Sequence, residues 1–344
     1  MSRLIALLCC VLFVASFVWI ESVGGQDECF SKSLHATGEG MRYWYEEEGG
    51  LMTITGIPYA DLDCSKCHIK SCDQCHLEQD EGTGTCALTN EKARNTETCL
   101  VCHGREKLTY KMCETTGTLD VHGRSCSDCH SAAEMHGDGQ SYSSMRDPAA
   151  PRVACTDCHA ETMGESRAHT VHKEKLDCAA CHVSATTACM NCHMDTFLET
   201  GSRKGTFFPM QDWLLLINYD GKITSATAMT IVYEDKKFVC YAPYFTHAVQ
   251  GEGKQCADCH GTEAVKMIKA GESVPMMEYE DGAVVSWKGV VPVVDGQLDW
   301  VYLNKKGDAW EPVANDDPAT VQYVAYGTPL TEEQIKKMAM PFKK

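Results

Sequence analysis

Cys64-Ser65-Lys66-Cys67-His68-Ile69-Lys70-Ser71-Cys72-Asp73-Gln74-Cys75-His76 contains the pentapeptide Cys-x-x-Cys-His twice in thirteen residues. The same spacing returns at Cys99 to His103, Cys126 to His130, Cys155 to His159, Cys178 to His182, Cys189 to His193 and Cys256 to His260, making eight copies in 344 residues. Scattering 22 Cys and 14 His at random along the chain would produce only about 0.06 such pentapeptides. The pattern therefore needs a chemical explanation.

On a helical turn, residues i and i+3 lie on one side and residue i+4 follows beside them. Two thiols so placed can bond the vinyl groups on one edge of a porphyrin, while the histidine binds its iron from below. This is the attachment signature of a c-type haem. Zinc sites also use Cys-x-x-Cys, but they do not require a histidine directly after every second cysteine, and neither does a disulfide framework. Eight covalently bound haems are expected. Their thioethers would form at Cys64, Cys67, Cys72, Cys75, Cys99, Cys102, Cys126, Cys129, Cys155, Cys158, Cys178, Cys181, Cys189, Cys192, Cys256 and Cys259. Proximal iron ligation falls to His68, His76, His103, His130, His159, His182, His193 and His260.

Eight irons could use sixteen histidines, and the chain has 14. Six remain as candidate distal ligands: His35, His122, His136, His169, His172 and His247. At least two irons therefore lack a second histidine from this chain. Methionine (Met112, Met163, Met190, Met194 or Met210), a neighbouring subunit, or an open coordination position could account for them. Four cysteines outside the motifs and the leader remain, Cys29, Cys86, Cys113 and Cys240; Cys86 with Cys113 is the first disulfide to expect, because both flank the third motif.

Residues 1–25 read as an export signal: Arg3 opens it, Leu4 to Ile20 form an apolar run, and Val23-Gly24-Gly25 offers a cleavage site. The run lies at the lower edge of a membrane span, so a retained anchor facing outward is the alternative to a free periplasmic or extracellular protein. A net charge of −17 argues against nucleic acid as a partner.

Four regions follow: the signal at 1–25, a lead-in at 26–63, a seven-haem domain at 64–200, and a β-containing region at 201–344 carrying the eighth haem. The seven-haem stretch has about 19 residues per porphyrin, too few for an ordinary side-chain core. Haem-packed short α-helices and irregular loops are expected there, with a smaller antiparallel β-containing C-terminal region. Trp213 to Tyr219, Ala228 to Tyr233 and Phe238 to Tyr244 read as a meander. Four steps from His68 to Cys72 span at most about 14 Å, and seven from His182 to Cys189 about 25 Å, so the first and second haems, and the sixth and seventh, are expected to be neighbours.

On these motifs the chain resembles the multihaem c-type cytochromes of anaerobic prokaryotes. Cys126-Ser127-Asp128-Cys129-His130 followed by His136-Gly137-Asp138-Gly139 is distantly similar to the octahaem tetrathionate reductase and hydroxylamine oxidoreductase relatives. The Cys-x-x-Cys-Lys that often marks the active haem of the related nitrite reductases does not occur. The resemblance implies an exported octahaem cytochrome carrying electrons in anaerobic respiration. Its partners would be redox proteins such as a membrane quinol-oxidising complex or a terminal reductase, with a homo-oligomer as a further form. One alternative is an oxidoreductase of tetrathionate, nitrite or hydroxylamine type at an under-ligated haem. Another is a subunit of an extracellular conducting filament.

Overall fold

The computed structural model describes residues 28–340 apart from 63–64, 66–68, 80–81, 83–85, 124 and 161–165. The expected export signal, Cys64, Cys67 and His68 of the first motif, and Met163 all lie outside the described residues. No helix among the described residues is long and apolar enough to cross a membrane.

From Leu34 to His182 the chain runs mainly through short helices, the longest being Gly104–Thr116, and one small hairpin, β1 (Leu77–Gln79) with β2 (Cys86–Leu88). It then enters a sheet of seven strands. These are β3 (Ala188–His193), β4 (Phe208–Met210), β5 (Trp213–Tyr219), β6 (Lys222–Tyr233), β7 (Lys236–Pro243), β10 (Gly289–Pro292) and β14 (Thr320–Tyr323). A three-stranded sheet holds β8 (Val274–Glu280), β9 (Ala283–Ser286) and β11 (Leu298–Trp300), and a hairpin joins β12 (Leu303–Lys306) to β13 (Ala309–Pro312).

The expectation of haem-packed helices and loops with a small antiparallel C-terminal part is overturned. The architecture is mixed, with several sheets, and the main sheet is itself mixed: β5, β6 and β7 form an antiparallel meander, while β3 with β6, β10 with β5 and β14 with β7 are parallel. The meander turns have local causes. Asp220 and Gly221 have φ of 48° and 74°, and Glu234 and Asp235 have φ of 47° and 61°, the left-handed pair that two-residue hairpins need to match strand twist.

The physical reason for the correction lies in burial. Trp213 to Ile217 is buried at every position, as a strand covered on both faces should be. One apolar cluster joins Trp213, Leu215 and Ile217 to Val265 and Ile268 of the helix Glu263–Ala270 and to Ile335 and Met338 of Glu332–Met338. A second joins Ile231, Phe238 and Cys240 to Tyr45, Leu51 and Ile54 of the lead-in. Side chains thus build a conventional core about the sheet.

Candidate functional site

Six motifs share one local conformation. The histidine N–H donates to the first cysteine's carbonyl in each: His76 to Cys72 at 2.9 Å, His103 to Cys99 at 3.0 Å, His130 to Cys126 at 2.9 Å, His159 to Cys155 at 2.9 Å, His182 to Cys178 at 2.8 Å and His260 to Cys256 at 2.8 Å. This i+4 bond closes the helical turn that brings the two thiols to one side. Neighbouring side chains cap the turns. Asp128, Asp157 and Asp258 each accept the N–H of the residue preceding their motif, at 2.9, 2.9 and 2.8 Å, and Asp177 accepts from Ala179 at 2.9 Å.

Each of these six histidines faces one of the six remaining histidines. Ring centroids stand 6.1 Å apart for His76 and His136, 6.2 Å for His103 and His35, and 6.0 Å for His130 and His247. They stand 6.0 Å apart for His159 and His122, 6.1 Å for His182 and His169, and 6.2 Å for His260 and His172. The separation suits an intervening metal. With a metal–nitrogen bond of about 2 Å on each side and a nitrogen about 1 Å from its ring centre, two axial imidazoles sit about 6 Å apart. The six pairs therefore fit the group that the motifs imply.

Nδ1 hydrogen bonds prepare several of these rings. His76 donates to the Thr89 carbonyl at 3.0 Å, His182 to the Gln250 carbonyl at 3.2 Å and His172 to the Ala168 carbonyl at 3.0 Å. Carboxylates take the same role for His122 (Asp120, 2.8 Å), His130 (Glu134, 3.2 Å) and His247 (Glu106, 2.7 Å). A carbonyl or carboxylate oxygen can only accept, so Nδ1 carries the proton and Nε2 keeps its lone pair for a metal. Burial, with His103 beside it, lowers the pKa of His35, and burial also lowers that of His172, favouring the neutral ring that ligates. Burial works to raise the Glu106 carboxyl, but hydrogen bonds from His247 and Tyr244 hold it below its ordinary value. Sequence reasoning missed these carboxylates, although Asp120 stands two residues before His122 and Glu134 four after His130, both within local reach.

The six sites form a string. Cys102 of the third motif is close enough to Cys75 of the second to help raise its pKa, and Cys99 of the third adjoins Cys126 of the fourth. Asp120 links the fourth site to the fifth, since it bonds His122 and its charge acts on His247. Cys155 of the fifth motif adjoins Cys178 of the sixth, and Cys181 of the sixth lies near Cys259 of the eighth. One short helix, Arg167–His172, supplies both His169 and His172 to the last two sites.

The seventh motif stands apart. Cys189, Cys192 and His193 lie in β3, and the His193 N–H donates to the Thr206 carbonyl at 2.8 Å instead of closing a turn. His193 is buried, its neighbouring ring is Trp310 at 6.3 Å and 84°, and no histidine among the described residues faces it.

Met190 is fully buried in the first apolar cluster and Met194 is buried in the second, so both pack in cores. Cys86 and Cys113 do not bond: Cys86 is exposed on β2, whereas Cys113 is buried and accepts from Gln211 at 3.5 Å. Cys29 and Cys240 are also unbonded. Among the described residues, no group of three or more His, Cys, Asp or Glu side chains converges to hold a metal alone. Two axial nitrogens per site leave the other positions to a macrocycle. Comparison with protein-family profiles, curated proteins and solved structures finds no match.

Proposed function

We propose that this chain is an exported c-type cytochrome that relays electrons along a string of covalently bound haems. The observation that carries the reading is the pairing: every histidine left over from the motifs faces a motif histidine across 6.0 to 6.2 Å. A c-type haem iron between two imidazoles supplies reversible one-electron exchange between Fe(III) and Fe(II).

The chain's own residues do the rest. Nδ1 bonds fix ring orientation, and the carboxylates at His122, His130 and His247 add electron density that favours the oxidised state at those sites. Neighbouring sites lie close in the order second, third, fourth, fifth, sixth, eighth, the fourth and fifth being joined through Asp120. The acidic surface favours basic redox partners or partners that dock through a local basic patch.

Protein-film voltammetry tests this reading. Reversible electron exchange over a broad potential range, with low-spin ferric signals from the paired sites, is the expected result; a matured chain with no haem redox signal would sink it.

The pairing also favours a second reading at one place. It consumes all six spare histidines, so none is left to be the second ligand of a further iron. An oxidoreductase acting on a small nitrogen or sulfur compound would work there. A high-spin ferric signal that responds to nitrite, hydroxylamine or cyanide supports this alternative, and wholly low-spin iron indifferent to all three removes it.

A further inference from the structure

We propose that the seventh pentapeptide, Cys189 to His193, holds no haem and serves as a strand of the sheet, so that the chain loads at most seven. This rests on reading the other motifs as haem sites.

The strand register carries the argument. Cys189 pairs with Met229 and Cys192 with Ile231, a bulge setting three steps of β3 against two of β6. Residues paired across a ladder point to the same face, and Met229 and Ile231 are two apart, so both thiols share one face. His193 pairs with the next residue, Val232, and points to the other. On the cysteine face Cys192 and Met229 pack on the cluster of Tyr45, Leu51 and Phe238, whereas His193 meets Trp310. A porphyrin bonded to both thiols would have the sheet's own backbone between its iron and the His193 ring. In a helical turn the same spacing has no such obstacle.

The surrounding residues are committed to this arrangement. Asn191, at φ 51°, donates its amide to the Val301 carbonyl at 3.0 Å and accepts from the Leu303 N–H at 3.0 Å, tying β3 to β12. Its own N–H donates to the Thr230 hydroxyl at 2.7 Å. His193 caps the helix Met194–Thr200: Nδ1 accepts the Thr196 N–H at 3.4 Å. Nδ1 also lies 3.0 Å from the Thr196 hydroxyl, so the ring is held at the start of that helix. Opening a turn here would break these bonds and expose Met190 and Asn191, both fully buried.

The experiment uses the full chain matured in a host that attaches c-type haems, digested with trypsin and weighed. No Lys or Arg lies between Lys175 and Arg203, so one peptide, Leu176 to Arg203, carries both the sixth and seventh motifs. One haem on it, placed by fragmentation at Cys178 and Cys181, is the expected result. Two haems, or one at Cys189 and Cys192, would overturn the proposal while leaving the electron-carrier reading intact; a chain free of haem at every motif would instead overturn that reading. As a second measurement, Cys189→Ser with Cys192→Ser should leave the total count unchanged and Cys178→Ser with Cys181→Ser should lower it by one. A count lowered by one in the first variant again rejects the proposal.

Discussion

Cys178 to His182 closes a helical turn whose histidine faces His169 across 6.1 Å, whereas Cys189 to His193, seven residues further on, runs straight through the sheet. Both carry the same spacing and the same residue types, so the difference comes from context. Asp177 caps the first turn by accepting from Ala179, and the partners that meet that motif, Gln250 and His169, come from loops and a short helix. The second has β6 on one side and β4 on the other, each offering a ladder of backbone bonds. A pentapeptide has about one helical bond to gain, and a sheet edge on both sides outweighs it. The comparison extends to the whole molecule: a run of short helices with few buried side chains, set against a sheet with an apolar core of its own.

The largest expected effect separates these two regions. On the cytochrome reading, if haem attachment is prevented, residues 69–182 should lose their protection against proteolysis while the sheet from Ala188 onward keeps much of its own, because the first buries few side chains and the second has an apolar core. Uniform protection in the haem-free chain, read by hydrogen exchange or limited digestion, would erase the distinction.

The reverse perturbation comes next. Trp213 is fully buried in β5, so Trp213→Ala should cost about 3–5 kcal/mol in denaturant unfolding followed through the sheet. If the second to fifth sites hold low-spin haems, as proposed, their absorbance should change little before that transition.

A smaller effect is expected at one site of the string. His172→Met replaces the ring facing His260 and should raise the midpoint potential of a single haem by on the order of 0.1 V, well within the span that axial ligands set. Voltammetry should then show one displaced component; an unchanged envelope would remove His172 from the ligand set.

The smallest concerns the seam between the regions. Arg152 reaches from the motif-bearing segment to Asp220 at 2.8 Å and to the Tyr219 hydroxyl at the β5–β6 turn. The pair is partly exposed, so Arg152→Ala should cost no more than about 1 kcal/mol in thermal unfolding. A loss several times larger would mean that string and sheet are held together here.

Much of the candidate site was legible in the chain. His122 and His136 lie close to motifs in sequence, yet each faces a different motif from its nearest: His122 precedes Cys126 but faces His159, and His136 follows His130 but faces His76. His35 and His247 come from outside the crowded stretch and meet His103 and His130. Proximity along the chain could not assign these pairs. The sheet was half legible: the meander at β5, β6 and β7 follows from apolar runs and turn residues, but the parallel strands β3, β10 and β14 add to it through long connections that leave no local mark.

By itself, the sequence determined the candidate residues and their number: pentapeptides whose i, i+3 and i+4 positions can serve one porphyrin, and six histidines to spare. These are matters of residue type and short-range spacing, which covalent geometry transmits directly. Only the tertiary structure decided which histidine faces which, and that one pentapeptide turns its cysteines and its histidine to opposite faces of a sheet. Pairing and strand register depend on contacts between residues far apart in the chain, and the energy of those contacts exceeds what a single helical turn can offer.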